Sequence, residues 1–249
     1  MNIIGVIPAR YQSTRFPGKP LVDIAGKPMI QHVYERALRA QRLQRVLVAT
    51  DDVRIFDSVR AFGGEVLLTS RDHPSGTDRL AEACRLLGLQ DDDLIVNIQG
   101  DEPLVEPVMI DIIVEALEQT LEVPMATLAS VSHSVEAFSD PNVVKVVVNS
   151  RMQALYFSRA PIPCRRDATD LPHEFLRHLG FYAYRQAFLQ QFTRLPAGGL
   201  EQTEQLEQLR ALEHGHPIQV ALSPFETQGV DTPEDLQKIS AQPGKAAAG

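Results

Sequence analysis

Short apolar runs alternate with amphipathic stretches along the first half of this chain. Ile3-Ile4-Gly5-Val6-Ile7 is the first such run, and 46–50, 65–69 and 94–98 repeat the pattern. A run with no polar alternation is what a strand buried on both faces of a parallel sheet requires. The stretches between them carry apolar residues every three or four positions and predict helices over 28–39, 53–62, 78–87 and 107–118. Asp51 and Asp52 stand where a helix N-cap belongs, and Gly63-Gly64 closes the helix they open. Strands separated by helix-length segments imply crossover connections, so the expected class is α/β with a mostly parallel central sheet flanked by helices.

The pattern shifts after residue 125. Strand-like segments at 125–131, 143–149, 154–158 and 177–184 are interrupted by a loop at 161–172 rich in Pro and charge, which predicts added antiparallel pairing and a smaller substrate lobe. Helices are expected over 186–192, 201–214 and 233–240, with a strand at 218–222, and Pro196-Ala197-Gly198-Gly199 reads as a flexible joint. The whole is expected to form one unit over 1–240, with halves at about 1–122 and 123–240, followed by a flexible tail at 241–249 that lacks periodicity.

At 249 residues and 44% hydrophobic, the chain is long enough to bury one sizeable core. A formal charge of −8 repels nucleic acid and anionic membrane surfaces at long range, so neither is expected as a partner and any cationic cluster must act locally on a small anion. Cys84 and Cys164 have neither CxxC spacing nor a His at zinc-ligand spacing, so they read as reduced thiols. The chain enters a strand at once, without a basic leader, and no apolar stretch approaches the ~18 residues of a membrane span, so a cytoplasmic location is expected.

Candidate chemistry gathers where strands end. Arg10, Arg15 and Lys19 follow the first strand within ten residues. Arg offers paired donors to phosphate oxygens and Lys a mobile point charge, so the three can surround a triphosphate, with amides of the Ser13-Thr14 turn adding donors. Neither GxxxxGK[ST] nor GxGxxG is present, which excludes a Walker-type grip and a dinucleotide fingerprint. In NIQGDEP at 97–103, Asp101 lies just past a buried strand and Gly100 permits close backbone approach. Mg2+ needs only one or two protein carboxylates, which makes Asp101 a candidate ligand. The residues alone leave Asp231, in GVDTPEDL, open between metal ligand and helix N-cap. His214-Gly215-His216 reads as a helix end.

IPARYQSTRFPGKPL, ATDD, SGTDR, NIQGDEP, ALYFSRAPIP, RHLGFYAY, LEQLRALEHG and GVDTPEDL occur in this order. With them, the chain resembles the 3-deoxy-manno-octulosonate cytidylyltransferase (CMP-Kdo synthetase) family over residues 3–238. The resemblance implies a Rossmann-like nucleotidyltransferase, a homodimer, that uses Mg2+ to make CMP-Kdo and pyrophosphate from CTP and Kdo for lipopolysaccharide assembly. It implies that Arg10 and Lys19 hold phosphates with help from Arg15, that the Ala9 backbone admits the cytosine, and that Ser75, Gly76 and Arg79 line the nucleotide pocket. Asp101 and Asp231 match its magnesium-binding pair, while Gln99, Arg159, His178, Tyr182, Glu207 and Gln208 match positions expected around Kdo.

Read without the family, Arg159 is either a solvated residue after a strand or a bidentate partner for a sugar carboxylate, and His178 and Tyr182 share a strand face and can simply pack. Glu207 and Gln208 suit the polar face of a helix equally well. Asp51 and Asp52 need do no more than cap, although they can also orient a nucleotide. A relative acting on 8-amino-Kdo fits the same motifs. A sialate-activating relative would carry a glycine-rich first loop instead of STRFPGKP, and a silent nucleotide binder would have lost Lys19, Asp101 or Asp231. A sugar-phosphate thymidylyl- or uridylyltransferase would not need the sugar-side set. Departures from the family pattern are the absence of Trp, Phe16 where Leu is common, and the Ala/Gly tail.

Overall fold

A computed structural model describes residues 1–12, 16–164, 166, 174–227 and 229–240. Strand β1 (Ile3–Ala9) sends Ile3 and Ile7 into one apolar layer and Ile4 and Val6 into the opposite one, as its unbroken hydrophobic run requires. A 3-10 turn at Lys19–Leu21 and a ribbon of β2 (Asp23–Ile24) and β3 (Lys27–Pro28), neither anticipated from the pattern, lead into α1 (Met29–Ala37). Then come β4 (Arg45–Thr50), α2 (Val53–Ala61), β5 (Val66–Leu68), α3 (Gly76–Leu86), β6 (Leu94–Asn97) and α4 (Pro107–Gln119). Their positions follow the apolar runs and amphipathic stretches closely.

The second half comprises β7 (Met125–Ser132), a short α5 (Val135–Ser139), β8 (Lys145–Val148), β9 (Ala154–Ser158), β10 (Phe175–Arg185), α6 (Gln186–Phe192), α7 (Gly199–Glu204), α8 (Leu209–Glu213), β11 (Ile218–Leu222) and α9 (Pro233–Ser240). Ser134 makes α5 possible, because its side chain accepts from the Ala137 amide. The helix expected over 201–214 is two. Gln205 adopts a left-handed conformation, φ 54° and ψ 47°, after α7, and the chain turns before α8 begins.

One sheet runs in the order β11-β7-β10-β6-β1-β4-β5, with β8 also paired to β10 and β9 to β8. The strands β6, β1, β4 and β5 are mutually parallel, as are β11 and β7, whereas β10 is antiparallel to all three of its partners, β6, β7 and β8. The expected mixture of parallel crossovers and later antiparallel pairing is therefore one continuous sheet. Helices α1, α2 and α4 cover one face around Ile30, Val33, Ile55, Val59, Ile110 and Ile113. Helices α3, α6 and α8 cover the other around Leu80, Cys84, Phe188, Phe192 and Leu209. In β10 two extra residues bulge between Leu179 and Tyr182, which preserves the strand's alternation and keeps His178 and Tyr182 on one side. Among the described residues, no helix is long and apolar enough to cross a membrane.

Candidate active site

The carboxyl ends of β1 and β6 open into a cleft of about 270 Å³, where a doubly wound sheet places its ligands. Ala9, Arg10, Lys19, Ser75, Gly76, Arg79, Gln99, Asp101 and Asp231 line it, together with Pro8, Pro20, His73 and Gly100. Residues separated by more than two hundred positions thus meet in one concavity. A Cβ on Gly100 would lie 2.9 Å from the Pro8 carbonyl oxygen, so this crossing of two loops admits only glycine without displacement. Arg15 and the Ser13-Thr14 turn lie outside the described residues. The ends of their loop are tied by the Gly18 amide, which donates to the Tyr11 carbonyl at 2.8 Å.

Lys19 is the centre of the cleft's charge. Its Nζ donates to Asp101 Oδ2 at 2.7 Å, to the Val230 carbonyl at 2.9 Å and to Asp231 Oδ1 at 3.2 Å. The Val230 amide donates in turn to the Asp101 carbonyl at 2.8 Å. Ile24, Met29, Val230 and Ile239, with Phe16, Leu104 and Leu236 against them, form a small apolar cluster that fastens α9 beside the first loop and so brings residue 231 to residue 19. The N-cap alternative for Asp231 is filled by its neighbour: Thr232 Oγ1 accepts from the Asp235 amide at 3.3 Å, and Asp235 Oδ2 accepts from the Thr232 amide at 3.2 Å in return. Next to Asp101, Glu102 is buried, and desolvation, then the Asp101 charge, push its carboxyl up to about 8.

On the opposite wall, Ser75 caps α3 by accepting from the Asp78 amide at 3.2 Å. Arg79 is buried and donates to Thr69 Oγ1 at 2.6 Å and to the Ser70 carbonyl at 3.2 Å, while Asp51 lies 3.4 Å from its guanidinium. Asp51 therefore braces Arg79, and the capping reading belongs to Asp52, which accepts from the Arg54 amide. His73 reaches back to Glu82 of α3, fixing the loop that forms the cleft's rim. No motif singles out His73, whose role depends on a contact nine residues away.

The sugar-side candidates lie along β10 and the break between α7 and α8. Gln99 joins the two regions, donating from Nε2 to the Gly180 carbonyl that the β10 bulge presents, at 2.8 Å. His178 lies with its ring centroid 5.6 Å from that of Tyr182 and 4.8 Å from that of Phe157, and its Nε2 is 2.9 Å from Thr127 Oγ1. Burial lowers His178 to about 3, so it is a neutral ring, and burial, then the Glu207 charge, raise Tyr182 well above the ordinary range. Glu207 accepts from Thr77 Oγ1 at 2.6 Å, which ties the helix break to the nucleotide wall, and desolvation raises its carboxyl despite bonds from Thr77 and Ser75. Gln208 is buried, and its Nε2 has no hydrogen-bond partner among the described residues. Of the sugar-side residues only Gln99 lines the cleft; His178, Tyr182, Glu207, Gln208 and Arg159 lie outside its lining, and the Nε, Nη1 and Nη2 of Arg159 donate to the carbonyls of Glu204, Pro141 and Gln205 at 2.7, 2.9 and 3.3 Å.

Among the described residues no group of three His, Cys, Asp or Glu side chains converges to hold a metal, so a cation here would rest on the Asp101–Asp231 pair. His214 and His216 diverge to Pro196 and Gln191, and Gly215 between them has φ +78°, the geometry of a helix end. Cys84 is buried and Cys164 exposed, both free.

A parallel α/β sheet with cationic and acidic residues facing each other across its strand ends defines a nucleotidyltransferase of the Rossmann-like class. Residues 4–220 match the cytidylyltransferase family model, and the chain belongs to that family. It is 65% identical over 240 residues to the 3-deoxy-manno-octulosonate cytidylyltransferase of Syntrophobacter fumaroxidans, covering 96% of both chains. It is 53% identical to the 8-amino-3,8-dideoxy-manno-octulosonate cytidylyltransferase of Shewanella pealeana, covering 97% of this chain and 98% of the relative. A solved CMP:2-keto-3-deoxy-manno-octonic acid synthetase complexed with CTP superposes with a TM-score of 0.92 at 46% identity, covering 98% of this chain and 99% of the other. A cytidylyltransferase from Leptospira borgpetersenii shares the fold at a TM-score of 0.64 and 16% identity.

Proposed function

We propose that the protein is a cytoplasmic, homodimeric cytidylyltransferase that joins CTP to Kdo, giving CMP-Kdo for lipopolysaccharide assembly and releasing pyrophosphate. The observation that carries the mechanism is the position of Lys19 between Asp101 and Asp231, at the mouth of a cleft also lined by Arg10 and by the Ser75–Arg79 wall. The 65% identity to a Kdo cytidylyltransferase supports Kdo as the sugar over its 8-amino form, whose activating enzymes are similar to this chain at about 53%.

The anomeric hydroxyl of Kdo attacks the α-phosphorus of CTP in line; the new O–P bond forms as the bond to the β-phosphate oxygen breaks. Both reactants are anions. Two like unit charges ~4 Å apart oppose each other by about 4 kcal/mol at an effective dielectric of 20, nearly a thousandfold in rate. Arg10 and Lys19, with Arg15, spread the triphosphate charge, Arg79 and Ser75 shape the pocket wall, and the Ala9 backbone receives the base. Asp101 and Asp231 form a pair of hard oxygen donors brought within 2.7 and 3.2 Å of one ammonium, a donor set that suits Mg2+. When bound there, Mg2+ would supply further neutralisation of phosphate charge. Gln99, neutral His178, Tyr182, Glu207 and Gln208 orient the sugar, and Arg159 pairs with its carboxylate.

Pyrophosphate release from CTP with Mg2+, measured in parallel for Kdo, 8-amino-Kdo and a sialic acid, tests this reading. Release with Kdo at the highest kcat/KM is expected. Preference for the amine would keep the mechanism and replace the substrate, and silence with all three would overturn the proposal.

A further inference from the structure

We propose that Glu204 is a positioning residue that holds Arg159 ready for the sugar carboxylate; the inference rests on the role for Arg159 given above. Glu204 grips residue 159 and its strand from two sides. Its carboxylate accepts from Ser158 Oγ at 2.6 Å, from the Arg159 amide at 2.9 Å and from Tyr156 Oη at 3.2 Å, which fixes the end of β9. Its own carbonyl, with that of Gln205, accepts from the Arg159 guanidinium. The left-handed turn at Gln205 makes this second grip possible, because it interrupts helical bonding just where both carbonyls are needed by the arginine. Lys145, fully buried, completes the cage by donating to the Arg159 carbonyl at 2.5 Å.

The arrangement does more than anchor a loop. Burial pushes the Glu204 carboxyl upward, but the bonds from Ser158, Arg159 and Tyr156 and the nearby Arg159 charge outweigh it, and the group stays ionised. Yet this carboxylate gives its lone pairs to neutral donors of the strand, and the guanidinium gives its bonds to neutral carbonyls. Arg159 forms no ion pair among the described residues. A direct Glu–Arg pair would quench the positive charge, whereas carbonyls fix the plane of the fork, leave remaining N–H groups for a ligand and preserve the charge for an incoming anion.

Steady-state kinetics on Glu204→Ala, Glu204→Gln, Arg159→Ala and the double variant Glu204→Ala/Arg159→Ala tests this. The expected result is that Glu204→Ala raises the KM for Kdo about tenfold, leaves the KM for CTP within about twofold, and adds little in the Arg159→Ala background, as residues acting through one contact do. Glu204→Gln, which keeps an acceptor oxygen, is expected to recover part of the Kdo affinity and provides the reading should the alanine variant not fold. A parallel rise in both KM values would overturn the proposal, as would an undiminished effect of Glu204→Ala when Arg159 is already absent. If Arg159→Ala alone left Kdo saturation unchanged, the reading of Arg159 itself would fall, a result distinct from failure at Glu204 only.

Discussion

The cleft at the strand ends and the region along β10 differ in their electrostatics. On the nucleotide side, at the ends of parallel strands β1 and β6, Lys19 links two carboxylates, Asp51 braces Arg79, and Arg10 is exposed to solvent. Along antiparallel β10, where the sugar is proposed to bind, His178 is held neutral, Tyr182 is held protonated and the buried Gln208 has an Nε2 without a partner among the described residues, with Glu207 and Arg159 as the charged groups. A triphosphate needs charge against charge, which remains useful in a partly hydrated cleft. A sugar is mostly hydroxyls, and its recognition gains from desolvated neutral donors whose hydrogen bonds water cannot easily replace. A single sheet that joins parallel and antiparallel strands thus carries a strongly charged region beside one rich in buried neutral groups.

The comparison can be broken most severely on the charged side. Asp101→Asn is expected to lower kcat/KM about a thousandfold, roughly 4 kcal/mol of transition-state stabilisation, with an unchanged melting temperature. Normal turnover by the purified variant would remove Asp101 from the catalytic machinery. Gly100→Ala is next: its Cβ would meet the Pro8 carbonyl, and a shift of that backbone is expected to cost about 1–3 kcal/mol of stability and to spoil the cleft. Unaltered denaturation and kinetics would show that the loops yield freely.

On the neutral side, Gln208→Leu removes the buried amide and is expected to raise the KM for Kdo about tenfold without altering that for CTP, the inverse of a phosphate-side change. A loss confined to CTP would exchange the two regions. A separate effect concerns pH. His178 has a folded-state pKa of about 3, below the ordinary 6.5, so the unfolded chain takes up a proton first as pH falls. Its contribution is complete above pH 6.5 and drains away between 6.5 and 3. Thermal unfolding followed over that window should lose less stability in His178→Asn than in the parent chain, and equal slopes would exclude a buried neutral ring.

Much of the nucleotide side was legible in the sequence because it is written in contiguous motifs at strand ends. Apolar runs located β1 and β6, and Ala9, Arg10, Lys19 and Gln99 to Asp101, which follow them, line the observed cleft. Less local features were not legible. Asp231 reads equally as a cap until Thr232 and Asp235 are seen to cap the helix between them. The helix expected over 201–214 is broken at Gln205, whose left-handed conformation frees the carbonyls of Glu204 and Gln205 for Arg159, some forty-five residues earlier, a tertiary contact that helical periodicity cannot register. Glu204 and His73 were missed for the same reason: each acts through a partner distant in sequence or on another element, and neither stands in a recognisable spacing.

In the proposed reaction two anions react directly, sugar oxygen on α-phosphorus, with the protein supplying position and charge. Kdo equilibrated with 18O water, so that its exchangeable anomeric hydroxyl carries the label, and incubated in the same water with the enzyme, CTP and Mg2+, tests this through the isotope-shifted 31P resonances of the products. The account predicts the label in the bridge between sugar and phosphorus of CMP-Kdo and none in pyrophosphate. Label in pyrophosphate, or an unlabelled bridge, would contradict it.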